Sequence, residues 1–160
     1  MRPFRIAPFA PGMEGQVLDL ILPIQQVEFG VAITATDQPD LATIPTIYQS
    51  GRGGFWVGVQ DEVVVGTLGL IDFGSGGAIR KMFLRKDQRG SGLAQALLDT
   101  LITHARSAKL PALWLGTLAH MGAAHRFYER NDFQRITPED LPADFPRMAV
   151  DTVFYHRALG

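Results

Sequence analysis

The sequence predicts an α/β fold of the α+β kind, a mixed, mostly antiparallel sheet of about seven strands flanked by about four helices. Three observations predict it. Residues 55–60, 63–71 and 78–84 are β-rich runs separated only by turn residues, which reads as an antiparallel meander. The clearest helix of the chain follows, then a short apolar strand at 112–117, a spacing that favours a right-handed parallel crossover. Strands and helices do not alternate regularly elsewhere, which excludes a doubly wound sheet.

In order, residues 4–8 read as a first strand, and Pro11-Gly12 opens a helix over about 13–27 that Pro23 should kink. A polar loop follows. Asp40 could cap a short helix over 41–48, itself interrupted by Pro45. Asp61-Glu62 joins the first two strands of the meander, and Gly74-Ser75-Gly76-Gly77 joins the second and third. In the main helix Leu93, Leu97, Leu101 and Ala105 recur every four residues, with Ala94, Leu98 and Ile102 beside them. Lys109-Leu110-Pro111 stops it. A helix over 122–130 ends at Asn131-Asp132, residues that tolerate a left-handed C-cap. Strands at 133–136 and 150–157 close the chain around a proline-rich loop, 137–148. Residues 1–160 read as a single domain, without repeats or linkers.

Composition narrows the function classes. Apolar residues make up 46% and the net charge is −1, so no global bias toward nucleic acid or an anionic membrane is expected. There are no cysteines, which excludes disulfides, cysteine zinc sites and a cysteine nucleophile. The four histidines lack metal-ligand spacing, and no metal is predicted. No leader peptide or bilayer-spanning run is legible, so a cytoplasmic protein is expected.

The turn before the main helix carries the chemistry. Arg89-Gly90-Ser91-Gly92-Leu93-Ala94 is a helix N-terminus with unpaired N–H groups, a partial positive charge and no bulky side chain at Gly90 or Gly92. Arg80, Lys81, Arg85, Lys86 and Arg89 lie nearby against one acid, Asp87. Together these predict a phosphate or pyrophosphate site. A dinucleotide fingerprint fails because Gly92 is followed by Leu93-Ala94-Gln95, and no Walker lysine follows the glycines.

The stretch from Leu84 to Ala94 resembles motif A of the GNAT N-acetyltransferase superfamily: Arg89, Gly92 and Ala94 fall on its Arg/Gln-x-x-Gly-x-Gly/Ala pattern. The preceding Lys81-Met82-Phe83-Leu84 resembles that family's fourth strand, and Ala124, Tyr128 and Phe133 match motif B. The predicted element order fits the family from end to end. The chain departs from the pattern at Asp132, where Gly precedes Phe in the family, and lacks a Pro often found near Lys86. It also has Ala78 where many relatives have Glu, and Met121 where Asn is frequent.

The resemblance implies acetyl-CoA as donor and direct transfer of its acetyl group to a primary amine, with a small-molecule amine as acceptor. Acetylation of a protein or peptide, and a non-catalytic acyl-CoA-binding module, are the alternatives. It implies that Arg89, Gly90, Ser91, Gly92, Leu93 and Ala94 hold the pyrophosphate, with Lys86 as a further phosphate partner. Met82, Phe83 and Leu84 would align the pantetheine arm, the Leu84 N–H acting as oxyanion donor, and Tyr128 would be the general acid. Glu28, Phe29, Asp37 and His120 are the candidate acceptor-binding residues. Glu28, Asp37, Asp72 and His120, or a water chain, are the candidate bases, Ala78 being unable to serve. Dimers are frequent in the superfamily, so a homodimer is expected.

Overall fold

The computed structural model describes residues 3–160. Seven strands form one sheet in the order β1-β2-β3-β4-β5-β7-β6. β1 (Arg5–Pro8), β2 (Gly54–Gln60), β3 (Val63–Asp72) and β4 (Gly77–Leu84) are successively antiparallel. β5 (Ala112–Thr117) is parallel to β4, and β7 (Val153–Ala158) lies antiparallel between β5 and β6 (Gln134–Ile136). The predicted meander and parallel crossover are therefore both present. Asp61 and Glu62 have φ of 53° and 64°, the double left-handed geometry of a two-residue hairpin turn.

Helices cover both faces. α3 (Leu93–Ser107) and α4 (Gly122–Arg130) pack on one, where Leu93, Leu97, Leu98 and Leu101 meet Trp56, Leu68, Ile79, Leu113 and Leu115. Each such leucine, fully buried, contributes roughly 1.5–3 kcal/mol. α1 (Glu14–Pro23) and the one-turn α2 (Ile44–Ile47) pack on the other face, against Phe55, Val57, Val59 and Val64. Leu93 enters the first core because β2 and β3 carry glycine beneath it: a Cβ at Gly58 or Gly66 would come within 2.6 or 2.9 Å of its side chain. That close seat fixes where α3 begins.

Three elements differ from the sequence pattern. The first helix does not run through Pro23 as one α-helix; Ile24–Glu28 is a π-helical turn, closed by Phe29 N–H on the Ile24 carbonyl at 3.0 Å. Pro23 brings no N–H to the ladder and the chain widens after it. The second helix is split into a 3-10 turn, Pro39–Ala42, and α2, with Pro45 in the first turn of α2. Asp40 does not cap it; its carboxylate accepts the Tyr48 hydroxyl at 2.5 Å. Finally, β7 starts at Val153, so Val150 and Asp151 lie in a turn rather than in the strand.

Candidate active site

β4 and β5 pair at only two positions, Gly77 with Leu113 and Ala78 with Trp114, and then part. The parting opens a cavity of about 310 Å³. Its lining includes Ile79, Leu115, Met82 and Tyr128, which belong to the α3–α4 face, and Phe29 and Phe83, which belong to the α1 face. The cavity thus passes through the sheet and is lined from both of its faces.

A bulge in β4 shapes its wall. Thr67 of β3 faces Phe83 and Gly69 faces Arg80, so Leu68 alone opposes both Lys81 and Met82. Lys81 has a φ of 58°, an uncommon backbone for a non-glycine residue, and the Thr67 hydroxyl pins its carbonyl at 2.8 Å. Beyond the bulge the Arg85 N–H bonds the Val65 carbonyl at 2.8 Å. Strand alternation then turns the N–H groups of Leu84 and Met82 away from β3, toward the gap. Of the two, Met82 lines the cavity; Leu84 lies farther along, its carbonyl accepting from Arg89 at 3.2 Å.

Tyr128 enters from α4. It is 7% exposed, held between Phe127, Phe133 and Tyr155, and its hydroxyl approaches the Met82 sulfur at 3.6 Å. Burial, reinforced by the negative charge of Asp151, pushes the phenol well above its ordinary pKa.

The turn between β4 and α3 is built as the sequence suggests. Gly90 and Gly92 take φ of 81° and 92°, and a Cβ on either would meet nothing within 4 Å. The Ser91 hydroxyl accepts from Leu93 N–H at 3.3 Å and donates to the Gln88 carbonyl at 2.5 Å. The N–H groups of Gly90, Gly92, Ala94 and Gln95 find no acceptor among the described residues. These free donors at a helix start make an open cradle whose dipole and N–H groups suit an anion.

The basic cluster, contiguous in sequence, is divided in space. Arg80 and Lys81 line the cavity. Arg85 is engaged by Asp87 at 2.7 Å and Arg89 by Glu28 at 2.6 Å, whereas Lys86 has no ion pair among the described residues. Lys81 donates to Gln38 at 2.7 Å and lies 3.7 Å from Asp40, and Gln38 exchanges hydrogen bonds with Gln25 at 2.8 and 2.9 Å. This network ties the π-helical turn and the following loop to the bulge.

The acceptor-side residues named from sequence do not all converge. Phe29 lines the cavity, 6.2 Å from the Phe83 ring. Glu28 points instead to Arg89, on the cradle side. Asp37 closes its own turn by accepting from the Thr34 N–H and hydroxyl, both at 3.0 Å. His120 is exposed and does not line the cavity. Among the other candidate bases, Asp72 is gripped by Arg52 at 3.0 Å, which lowers its pKa to about 2 and leaves a very weak base. Ala78 is fully buried at the closed end of the strand fork. The residue sequence reading missed is Asp151, the one carboxylate among the cavity's lining residues. Among the described residues no cluster of His, Cys, Asp or Glu is placed to hold a metal ion, and no helix is long and apolar enough to cross a membrane.

Known proteins share this fold and sequence pattern. Residues 19–133 match the model of the acetyltransferase (GNAT) family. A crystal structure of an acetyltransferase of the GNAT family from Staphylococcus aureus Mu50 superposes with a TM-score of 0.94 at 34% identity, covering 99% of this chain and 100% of that one. An acetyltransferase from Streptococcus agalactiae gives 0.91 at 27% identity, covering 99% of each chain. N-acetylaspartate synthetase of Rattus norvegicus is 32% identical over 127 residues, 74% of this chain and 42% of that protein. N-acetyltransferase 8 of the same species is 35% identical over 97 residues, 56% of this chain and 44% of that protein. The chain spans less than half the length of either of these two relatives.

Proposed function

Since the chain belongs to the acetyltransferase (GNAT) family, we propose that it transfers the acetyl group of acetyl-CoA directly to the primary amine of a small molecule. The single observation that carries this reading is the cavity through the sheet, with a buried phenol on one side and a polar acceptor face on the other, adjoining an anion cradle. Acetyl-CoA is a substrate consumed at each turnover. The residues present fit it: four free N–H groups and unobstructed space at Gly90 and Gly92 suit its pyrophosphate.

In this reading Arg89 to Ala94 hold the pyrophosphate, with Lys86 as a further counter-charge. The exposed edge of β4 from Met82 to Leu84 aligns the pantetheine arm. The Met82 N–H would polarise the thioester carbonyl and Leu84 would bind the arm next to it, a choice supported by Met82 lining the cavity beside Tyr128. Tyr128 protonates the departing thiolate. The name of the rat relative, N-acetylaspartate synthetase, supports a small amine over a protein as acceptor.

The test is acceptor-dependent release of free thiol from acetyl-CoA, with polyamines, amino acids, aminoglycosides and peptides offered in parallel. Release with a small amine at higher kcat/KM than with any peptide is the expected result. Peptides as the better acceptors would favour protein acetylation. Tight acetyl-CoA binding with no release from any acceptor would favour a binding module.

Glu28 gives this reading a second check. Its partly exposed ion pair with Arg89 is worth no more than about 1 kcal/mol. A phosphate group that takes Arg89 must displace it. Glu28→Gln is therefore expected to tighten acetyl-CoA binding by up to about fivefold in calorimetry; weakened binding would remove Arg89 from the phosphate site.

A further inference from the structure

We propose that Asp151 is the group that takes the proton from the incoming ammonium. The inference rests on the N-acetyltransferase reading above and extends it to the half of the site that sequence patterns left blank. An ammonium cannot attack a thioester until it loses a proton, so a reaction centre of this kind needs a proton acceptor on the acceptor side.

Asp151 is the sole carboxylate lining the cavity, and no histidine lines it. Its position is set by the backbone on both sides. Its own N–H bonds the Met148 carbonyl at 3.2 Å, and the Thr152 N–H bonds the Thr117 carbonyl of β5 at 3.1 Å. The carboxylate is laid directly on β5 at Gly116, where a Cβ would stand 2.6 Å from its Oδ2. Leu115 points into the α3–α4 core, so Gly116 faces the opposite side of the sheet. Asp151 and Tyr128 therefore flank the fork between β4 and β5 from opposite faces, one for the amine and one for the thiolate.

The other carboxylates near this face are already engaged: Asp40 by Tyr48 and Lys81, Glu28 by Arg89, Asp37 by its own turn. Asp151 has no hydrogen bond or ion pair within 4 Å of its side chain among the described residues. The charged and titratable groups facing it are Arg80 and Lys81 from β4, Arg147 from its own loop and Tyr128 from α4. Lys81 is held by Gln38 and Asp40, and Arg80 donates to the Met148 sulfur at 2.8 Å. Burial outweighs these cations and raises the carboxyl pKa, which makes it a stronger base than a solvated aspartate.

The step balances as follows. One N–H proton of the ammonium passes to the Asp151 carboxylate and from there to water. The freed lone pair forms the C–N bond at the thioester carbonyl carbon, and the C–S bond breaks as the tetrahedral centre collapses. Tyr128 gives its proton to the sulfur, and the second proton lost from nitrogen restores the phenol. The products are the amide, CoA thiol and one proton in solution.

The test uses Asp151→Asn in the full chain with two acceptors: the best amine found in the panel above, protonated at neutral pH, and an aromatic hydrazine, largely unprotonated there. With the amine, kcat/KM should fall about 100-fold or more at pH 7, recover as pH rises toward the amine's own pKa, and leave acetyl-CoA affinity unchanged. With the hydrazine the loss should be much smaller, a pattern that simple distortion of the site would not give. Equal losses for both acceptors, or a fall of less than about threefold with the amine, would overturn the assignment. Gly116→Ala is the second variant should the first fail to fold; it displaces the carboxylate without removing it, and should show the same acceptor-dependent pattern in weaker form. If the parent protein acetylates neither acceptor, it is the N-acetyltransferase reading itself that fails.

Discussion

Tyr128→Phe is expected to lower kcat by about 100-fold or more while changing the acetyl-CoA KM by less than about threefold. The substitution removes one oxygen and leaves the ring in its packing against Phe127, Phe133 and Tyr155. The hydroxyl is directed at the Met82 sulfur on the wall where β4 turns away from β5, so it faces the cavity rather than solvent. Burial and the charge of Asp151 raise the phenol above its ordinary pKa and favour its protonated form. The pH profile of the parent should therefore show no basic limb from this group. Steady-state rates and a pH profile for the variant test both points. An unchanged kcat, with the chemical step shown to be rate-limiting, would leave Tyr128 as packing.

Gly92→Glu is expected to weaken acetyl-CoA binding by more than about 100-fold in calorimetry. Two effects combine. At φ of 92° any side chain strains the backbone, by roughly 1–2 kcal/mol. The new carboxylate then projects into the open space beside the free N–H groups of Gly92 and Ala94, where it competes with and repels a phosphate. Gly92→Asn separates the two, since Asn tolerates the left-handed region and brings no charge; it should lose far less affinity. Normal binding by a folded Gly92→Glu protein would move the pyrophosphate elsewhere.

The parts of the molecule legible in the sequence are those where one local rule decides the structure. Leu93, Leu97 and Leu101 mark a buried helix face by spacing alone, and they are fully buried. Gly90 and Gly92 ahead of them mark a helix start that admits an anion, and both adopt the left-handed backbone that glycine allows. Tyr128 was legible through its place in a family pattern. The acceptor half was not, because tertiary contacts set it. Nothing about Lys81 advertises a left-handed bulge, yet that bulge sends Arg80 and Lys81 to the cavity and leaves Arg85, Lys86 and Arg89 at the turn. Asp37, Asp72 and Glu28 looked like free carboxylates until their partners, Thr34, Arg52 and Arg89, were in view. Asp151 was hidden by the alternation of Val150, Asp151, Thr152 and Val153, which reads as strand although the chain is still in a turn at Asp151. A polar residue just before a closing strand, facing a glycine on its neighbour, is the signal that could have found it.

The proposed reaction is a direct transfer between two substrates held together in the cavity that passes through the sheet. Initial rates measured while both acetyl-CoA and the amine are varied test it most directly, paired with mass spectrometry of the protein after incubation with acetyl-CoA alone. Intersecting double-reciprocal lines and an unmodified chain are the predicted result. Parallel lines with an acetylated side chain on the protein would contradict it.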